Sequence, residues 1–431
     1  MRREKENIEF TRVLLVGVDT GEEADFEHSM AELASLAEAA HKQVVGTIVQ
    51  HMETVNRSLY IGTGKAAQVK AYAAQAEAEE IVFDNALSPT QIRNLANELE
   101  LPVLDRNNLI LDIFALRART GEAKLQVEAA RLQYMLPRLV GMRENLSRQG
   151  GTGGAMSNKG AGETKLELDR RKIEHRLSEL EKELNSMTKN RETMRKRRMQ
   201  SGIPQVVLVG YTNAGKSTIL NRLVERYGER SEKTVTEKDM LFATLDTAVR
   251  SISTGDNKPF LLADTVGFIH KLPHGLVKAF RSTLEEVKYA DLLVQVVDFS
   301  DEHYKQQMEV TEQTLKELGA GDISRLVVYN KADKCGMEGI PQKKEGRIYM
   351  AAGQGCGLEE LTGMIQDTLY ADRVETDFLL PFNRGDLVSF LMENATVLKQ
   401  EYTEAGVHLK VSCQKQDAEK YSLYRQQIAG A

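Results

Sequence analysis

Only three cysteines occur in this chain of 431 residues, Cys335, Cys356 and Cys413, and no CxxC spacing joins any two of them. That excludes a disulfide scaffold and a cysteine-based zinc site, and it fits a reducing cytosol. No apolar run approaches the length a bilayer requires; the best, Leu292 to Val297, suits a buried strand. The opening MRREKENIEF has no apolar stretch of the kind a signal peptide carries, so the expected location is cytoplasmic, with no membrane span. Excess positive charge is missing too: the net charge is −6, so any contact with RNA must come from local basic patches or from molecular shape.

What the chain does have is ordinary globular material, 41% hydrophobic and 28% charged. Its length exceeds what one hydrophobic core holds, so several structural units are expected. Up to about residue 120, short β-branched runs alternate with helical stretches. VLLVGV (Val13–Val18), VVGTIV (Val44–Val49), IVFD (Ile81–Asp84) and PVLD (Pro102–Asp105) read as strands. Helices are expected over Ala24–Ala40, from about Lys65, and over Pro89–Glu98. Such alternation predicts parallel βαβ units.

From about 121 to 199 the pattern changes. Leu125, Leu132, Leu139 and Leu146 fall seven apart, with Ala129 and Leu136 between them. After a break, Leu166, Ile173, Leu180, Met187 and Met194 repeat the heptad, with Leu177 and Leu184 between them. Two amphipathic helices with matching seams predict an antiparallel hairpin, although two helices packed separately on a core would show the same periodicity. The break, Gln149–Glu163, holds six glycines and reads as a tip loop or a plain connector. Arg138, Arg143, Arg148 and Lys159 place positive charge near it, and Lys189–Arg198 is a second basic cluster. Each is either phosphate-binding or simply a solvated face.

The chemistry sits further on. VVLVGYTNAGKST (Val206–Thr218) is a strand, a glycine-flanked loop and a helix start that fit GxxxxGK[ST] through Gly210, Gly215, Lys216 and Ser217. Amides of Tyr211, Thr212, Asn213, Ala214 and Thr218 belong to the same cradle, which closes on phosphates at a helix N-terminus. Lys216 would neutralise β/γ-phosphate oxygens, and the Ser217 hydroxyl would ligate Mg2+. FLLADTVG (Phe260–Gly267) ends a strand in DxxG, with Asp264 toward Mg2+ and the Gly267 amide toward a γ-phosphate. NKAD (Asn330–Asp333) follows a third strand. The Asp333 carboxylate can accept two hydrogen bonds from guanine, a donor pair that adenine lacks, so GTP and GDP are the expected nucleotides. Asn330 would brace the loops and Lys331 would cover the ring. Ala351, Ala352 and Gly353 stand at the remaining base-contact loop, with the Ala352 amide as the expected donor.

Thr244, in LFATLD (Leu241–Asp246), is the candidate switch threonine closing on Mg2+ and γ-phosphate in the GTP state, with Thr247 and Thr218 as less well placed competitors. The expected catalytic set is Lys216, Thr244 and Gly267. Phe268 follows DTVG, where a glutamine that orients water is common, and an apolar side chain cannot take that role. Asn213 could help hold a monovalent cation such as K+, or could simply brace the loop.

Taken together the motifs resemble the HflX family of ribosome-associated GTPases over almost the whole chain. Leu87–Leu99, Val103–Leu139, Gly162–Ile173 and Gly267–Glu286 carry the resemblance outside the nucleotide motifs. It implies an α/β, multidomain chain: an N-terminal α/β domain over 1–120, a helical hairpin over 121–200, a P-loop GTPase domain over 201–372 and a small C-terminal α+β domain over 373–431. It also implies binding to the large ribosomal subunit and its RNA, with GTP-dependent splitting of stalled or idle ribosomes, by a protein expected to be monomeric. A regulatory switch acting on a protein effector is the alternative. YIGTGK (Tyr60–Lys65) suggests a second nucleotide site, but it lacks the first P-loop glycine and a following Ser or Thr, so a turn into a helix is expected.

Overall fold

The computed structural model describes residues 10–21, 25–149, 159–200, 203–228, 241–242, 248–255, 257–271 and 286–425. Contacts divide the chain into two units. The first comprises Met1–Thr193 with Asp239–Asp246 and Ile269–Ser282; the second comprises Met194–Lys238, Thr247–Phe268 and Thr283–Ala431.

The first unit begins with four parallel strands, β1 (Thr11–Asp19), β2 (Lys42–His51), β3 (Glu80–Phe83) and β4 (Val103–Asp105), in the order β2-β1-β3-β4. They alternate with α1 (Phe26–Ala39), α2 (Thr63–Gln75), α3 (Pro89–Leu99) and α4 (Arg106–Arg117), which is the βαβ pattern expected from the sequence. Local chemistry sets the helix starts. Ser88 and Gln91 form a capping box with Pro89 in the first turn of α3. Asp25 caps α1 and Asp105 caps α4. Leu14, Val16, Ile81 and Phe83 pack on Val69 and Leu95 to make the core. YIGTGK is a turn with Tyr60 at φ 65°, leading through Gly62 into α2, as expected.

Beside this core lies a buried charge network. Arg106 is 1% exposed; it pairs with Glu32 and, at 2.7 Å, with Asp84, which is fully buried. Lys271 Nζ reaches the other Asp84 oxygen at 2.6 Å and Ser29 Oγ at 3.1 Å. Burial alone would raise the Asp84 pKa, but Arg106 and Lys271 outweigh it and hold the carboxyl below its ordinary value.

The heptads form α5 (Gly121–Gln149) and α6 (Lys159–Gln200). Their seams meet as expected: Ala129, Leu177 and Leu180 are buried, with Leu125, Leu132, Leu136, Ile173 and Leu184 against them. Arg176 forks onto Glu128 across the pair at 2.7 and 3.0 Å. Two expectations change. The break is shorter than Gln149–Glu163, because α6 already starts at Lys159 and takes Gly160 and Gly162 into helix. Arg138 is not a charge held out toward a loop: its guanidinium lies 3.2 Å from the centre of the Tyr134 ring and 3.3 Å from Asp105, which neutralises it. Residues 150–158, and the side chains of Arg143, Arg148, Lys159 and most of the Lys189–Arg198 cluster, lie outside the described residues.

The second unit is built on a seven-stranded sheet: β5 (Gln205–Gly210), β6 (Ala248–Ile252), β7 (Phe260–Asp264), β8 (Leu292–Asp298), β9 (Arg325–Asn330), β10 (Gln342–Lys344) and β11 (Arg347–Tyr349). The order is β10-β11-β9-β8-β5-β7-β6, antiparallel only at the two edge pairs. α7 (Lys216–Tyr227), α8 (Tyr304–Glu317) and α9 (Leu358–Leu369) accompany it. The central strands read as continuous apolar runs because both their faces are covered. Leu208, Leu220, Leu262, Val294, Val328, Ile348 and Leu361 share one core. β12 (Arg373–Leu380), α10 (Gly385–Asn394), β13 (Thr396–Thr403) and β14 (Gly406–Gln414) complete the unit as an antiparallel sheet with its own core around Phe378, Leu391 and Leu409. Asn257 fastens this sheet to the first, donating to the carbonyls of Met392 and Ala395 at 2.7 and 2.8 Å and accepting from Arg373 at 3.0 Å.

Candidate functional site

Four loops meet at the carboxyl ends of β5, β7, β9 and β11, where open α/β sheets place their ligands. The first, Gly210–Gly215, turns from β5 into α7. Gly215 has φ 96°, and a Cβ there would lie 2.2 Å from Asn330 Nδ2, so only glycine fits. Asn213 takes φ 60°, a left-handed conformation that asparagine tolerates, and its side chain is exposed.

Lys216 lies at the start of α7, 6% exposed, with Nζ donating to the carbonyls of Gly210 at 2.9 Å and Tyr211 at 2.7 Å. Burial pushes its pKa down to about 8, while the Asp264 carboxylate pulls the other way. A buried cation stoppered by two carbonyls is an anion receptor awaiting charge to balance it. Ser217, the next residue, donates to Asp264 Oδ2 at 2.7 Å. A hydroxyl and a carboxylate so close are hard oxygen donors that suit Mg2+. Among the described residues no three His, Cys, Asp or Glu form a metal cluster.

The DxxG loop is stitched to the first loop. Thr212 N–H donates to Phe268 O at 2.8 Å and Phe268 N–H donates to Gly210 O at 3.1 Å. Gly267 is held so closely that a Cβ would lie 2.7 Å from Thr212 Cα. Phe268 is 1% exposed: its ring packs inward and presents nothing to a water molecule, in keeping with the reading that it does not orient one.

Asn330, 2% exposed, ties three loops together. Its Nδ2 donates to Ala214 O at 2.9 Å and its Oδ1 accepts from Ala352 N–H at 3.0 Å. The second bond corrects one expectation. The Ala352 amide, read as the donor to the base, is engaged by Asn330, because the buried amide oxygen needs a partner. Gly353, the next residue in the same turn, is exposed, and Ala351 is buried beneath it.

Two partners escaped sequence reading. Lys331 Nζ is held at 2.7 Å by Asp298, at the end of β8, which fixes the course of the lysine stem. Gln354 Nε2 donates to Asp333 Oδ2 at 2.9 Å, satisfying the carboxylate that would read guanine. Both pairings are long-range, and no local spacing announces them. Lys216, Ser217, Gly267, Asp264, Asn330, Lys331, Asp333 and the Ala351–Gly353 turn all line this one end of the sheet. Thr244 and Thr247 lie outside the described residues, and Thr218 sits within α7.

Comparison with known proteins gives the family of the chain. Residues 27–115 match a family described as GTP-binding GTPase N-terminal, 117–198 one described as GTP-binding GTPase Middle Region, and 205–331 one described as 50S ribosome-binding GTPase. A crystal structure of a GTP-binding protein from Sulfolobus solfataricus in complex with GDP aligns over 84% of this chain and 99% of its own, at 24% identity and a TM-score of 0.44. The GTPase HflX of Caldanaerobacter subterraneus is 41% identical over 94% of this chain and 91% of its own. That of Escherichia coli K12 is 37% identical over 92% of this chain and 91% of its own. The chain belongs to the GTPase HflX family: it binds guanine nucleotides and hydrolyses GTP.

Proposed function

We propose that this GTPase acts on the large ribosomal subunit, contacting its RNA, and uses its GTP cycle to split stalled or idle ribosomes. The observation that carries the reading is the match of residues 205–331 to the 50S ribosome-binding GTPase family, within a chain related to HflX proteins over more than nine-tenths of its length. The hairpin of α5 and α6 supports it, since a pair of long helices can carry the glycine-rich segment between them into a deep partner site. On this reading the protein works in the cytoplasm as a monomer, with the four-part division at about residues 120, 200 and 372.

Within the site, the amides from Tyr211 to Thr218 cradle the phosphates and Lys216 balances β/γ-phosphate charge. Lys216, Thr244 and Gly267 form the catalytic group. Ser217, Thr244 and Asp264 would hold Mg2+, which would supply positive charge to balance the phosphate oxygens. Thr244 closes only when a γ-phosphate is present, and the Gly267 amide senses the same group. Asn213 would help hold a K+ ion, which would supply charge in the manner of an arginine finger. Asp333 reads guanine, Lys331 covers the ring, and the Ala351–Gly353 turn closes the base pocket. With Phe268 buried, the partner supplies or orders the group that positions the attacking water, so hydrolysis is slow until the partner binds.

The test is light scattering of purified ribosomes mixed with the protein and GTP, GDP or a non-hydrolysable GTP analogue. A fall in scattering with GTP or the analogue, absent with GDP, supports splitting; unchanged scattering in all three rules it out.

A further inference from the structure

Parallel sheets are normally covered by helices on both faces. On one face of the second unit's sheet this rule is broken at β9 and β11. Leu326, Val328 and Ile348 point into the shared core, so Arg325, Val327, Tyr329, Arg347 and Tyr349 point to the opposite face. On that face α8 packs over β5 and β8. The connection from β9 to β11, where a crossover between parallel strands ordinarily carries a helix, has only the short 3-10 turn Ala332–Cys335 and the edge strand β10. The place of one helix is therefore open.

It is not bare of recognition chemistry. A cleft of about 780 Å³ lies between α8 and the β10–β11 hairpin. Tyr329 and Tyr349 stack at 4.6 Å and 12° on its floor, and Tyr304 stands edge-on to Tyr329 at 6.1 Å. Phe299 supports all three rings from 5.2 to 5.5 Å. The three tyrosine hydroxyls make no hydrogen bond among the described residues. Met308 adds an adaptable wall. The rims differ in sign: exposed Glu309 and Glu312 on α8, Arg325 and Arg347 on the sheet.

We infer that this cleft binds an amphipathic α-helix of a partner protein, seated where the crossover helix is missing. Its apolar stripe lies on Tyr304, Met308, Val327, Tyr329 and Tyr349. A basic edge faces Glu309 and Glu312, and an acidic edge faces Arg325 and Arg347. Single-stranded nucleic acid would also stack on tyrosines, but it needs an excess of positive charge. Here Lys305, Arg325 and Arg347 are matched by Glu309, Glu312 and Glu345. A helix in a groove with tyrosine anchors and a charged rim fits both the shape and the charge. The inference concerns side chains other than those of the nucleotide loops and does not depend on ribosome splitting.

The test uses the full-length protein and two fluorescein-labelled helical peptides with the same Leu/Tyr stripe. One carries the basic and acidic edges described above; the other is basic on both edges, so that neither chain direction in the groove restores the match. Anisotropy titrations should show the first peptide binding at least tenfold more tightly than the second. Tyr304→Ala should weaken it about tenfold, with GTP hydrolysis unchanged. The double variant Arg325→Glu/Arg347→Glu makes both rims acidic and should reverse the preference between the peptides, an outcome that a merely structural role for these residues would not give. Failure of both peptides to bind, equal binding of the two, or a preference that survives the double reversal overturns the inference. So does tighter, Tyr304-dependent binding of a uridine-rich oligonucleotide, or Tyr304-dependent self-association in sedimentation.

Discussion

The Ser217 hydroxyl donates a 2.7 Å hydrogen bond to Asp264, joining the first residues of α7 to the end of β7. Residues 47 apart in sequence are thus brought to one point, with Lys216 buried beside them. Ser217→Ala removes a hard oxygen from the pair and leaves the phosphate cradle intact. The Mg2+ concentration needed for half-maximal GTP hydrolysis should rise about 10- to 100-fold, the range expected when a group supporting a metal is lost. GDP affinity measured in EDTA should change little. Equal losses with and without Mg2+ would place Ser217 in the cradle instead.

Lys216 gives the site a pH dependence. With a pKa of about 8 in the free protein, it is protonated below that pH and neutral above it. Phosphates restore the charge, so above pH 8 binding must take up a proton. The Kd for GTP should rise about tenfold per pH unit from 8 upward and be flat below. The unfolded chain keeps an ordinary lysine pKa near 10.4. Between about 8 and 10.4 it therefore holds more protons, and stability without nucleotide should rise with pH. Calorimetry in two buffers of different ionisation heat reads the proton directly; no uptake at pH 9 would contradict the assignment.

Asp333→Asn converts one acceptor into a donor. Guanine then meets a donor against its own donors, and GTP affinity should fall by about 100-fold or more. Xanthosine triphosphate, which carries an acceptor at the corresponding position, should gain. Competition binding with GTP, ATP and xanthosine triphosphate measures both changes. The wild-type ranking retained in the variant would remove Asp333 from base recognition.

In the first unit, Asp84→Asn leaves Arg106 and Lys271 without their shared carboxylate. Breaking a buried pair from one side should cost about 3–5 kcal/mol in urea unfolding of that unit. The native carboxyl pKa lies below its unfolded value of about 3.9. Its contribution is therefore full above that value and lost as pH falls through the native pKa. Wild-type stability should fall more steeply than the variant's below about pH 4. Parallel curves would show that Asp84 contributes little.

The sequence carried the backbone-encoded parts of this account. Gly210, Gly215, Lys216 and Ser217 lie within eight residues, and Asp264, Gly267, Asn330 and Asp333 sit where strands end, so periodicity and motif spacing located them. The heptads from Leu125 and Ile173 located the hairpin seam. What was not legible depends on distant partners. Asp298 under Lys331, Gln354 on Asp333 and the Ala352 amide on Asn330 are pairings between separate loops. Arg138 read as a free cation because Tyr134 and Asp105, which hold it, carry no charge pattern that marks the pairing. The open sheet face at Tyr329 and Tyr349 was hidden for a further reason: no spacing in Lys331–Gly346 shows that a helix is missing there.

The most direct test of the central claim is the rate of GTP hydrolysis by the purified protein, alone and with large ribosomal subunits, beside a Lys216→Ala control. The account predicts slow turnover alone, strong stimulation by the subunits and none in the control. Stimulation that is absent while GTP binding is intact would contradict the ribosomal role and leave a GTPase whose partner is another molecule.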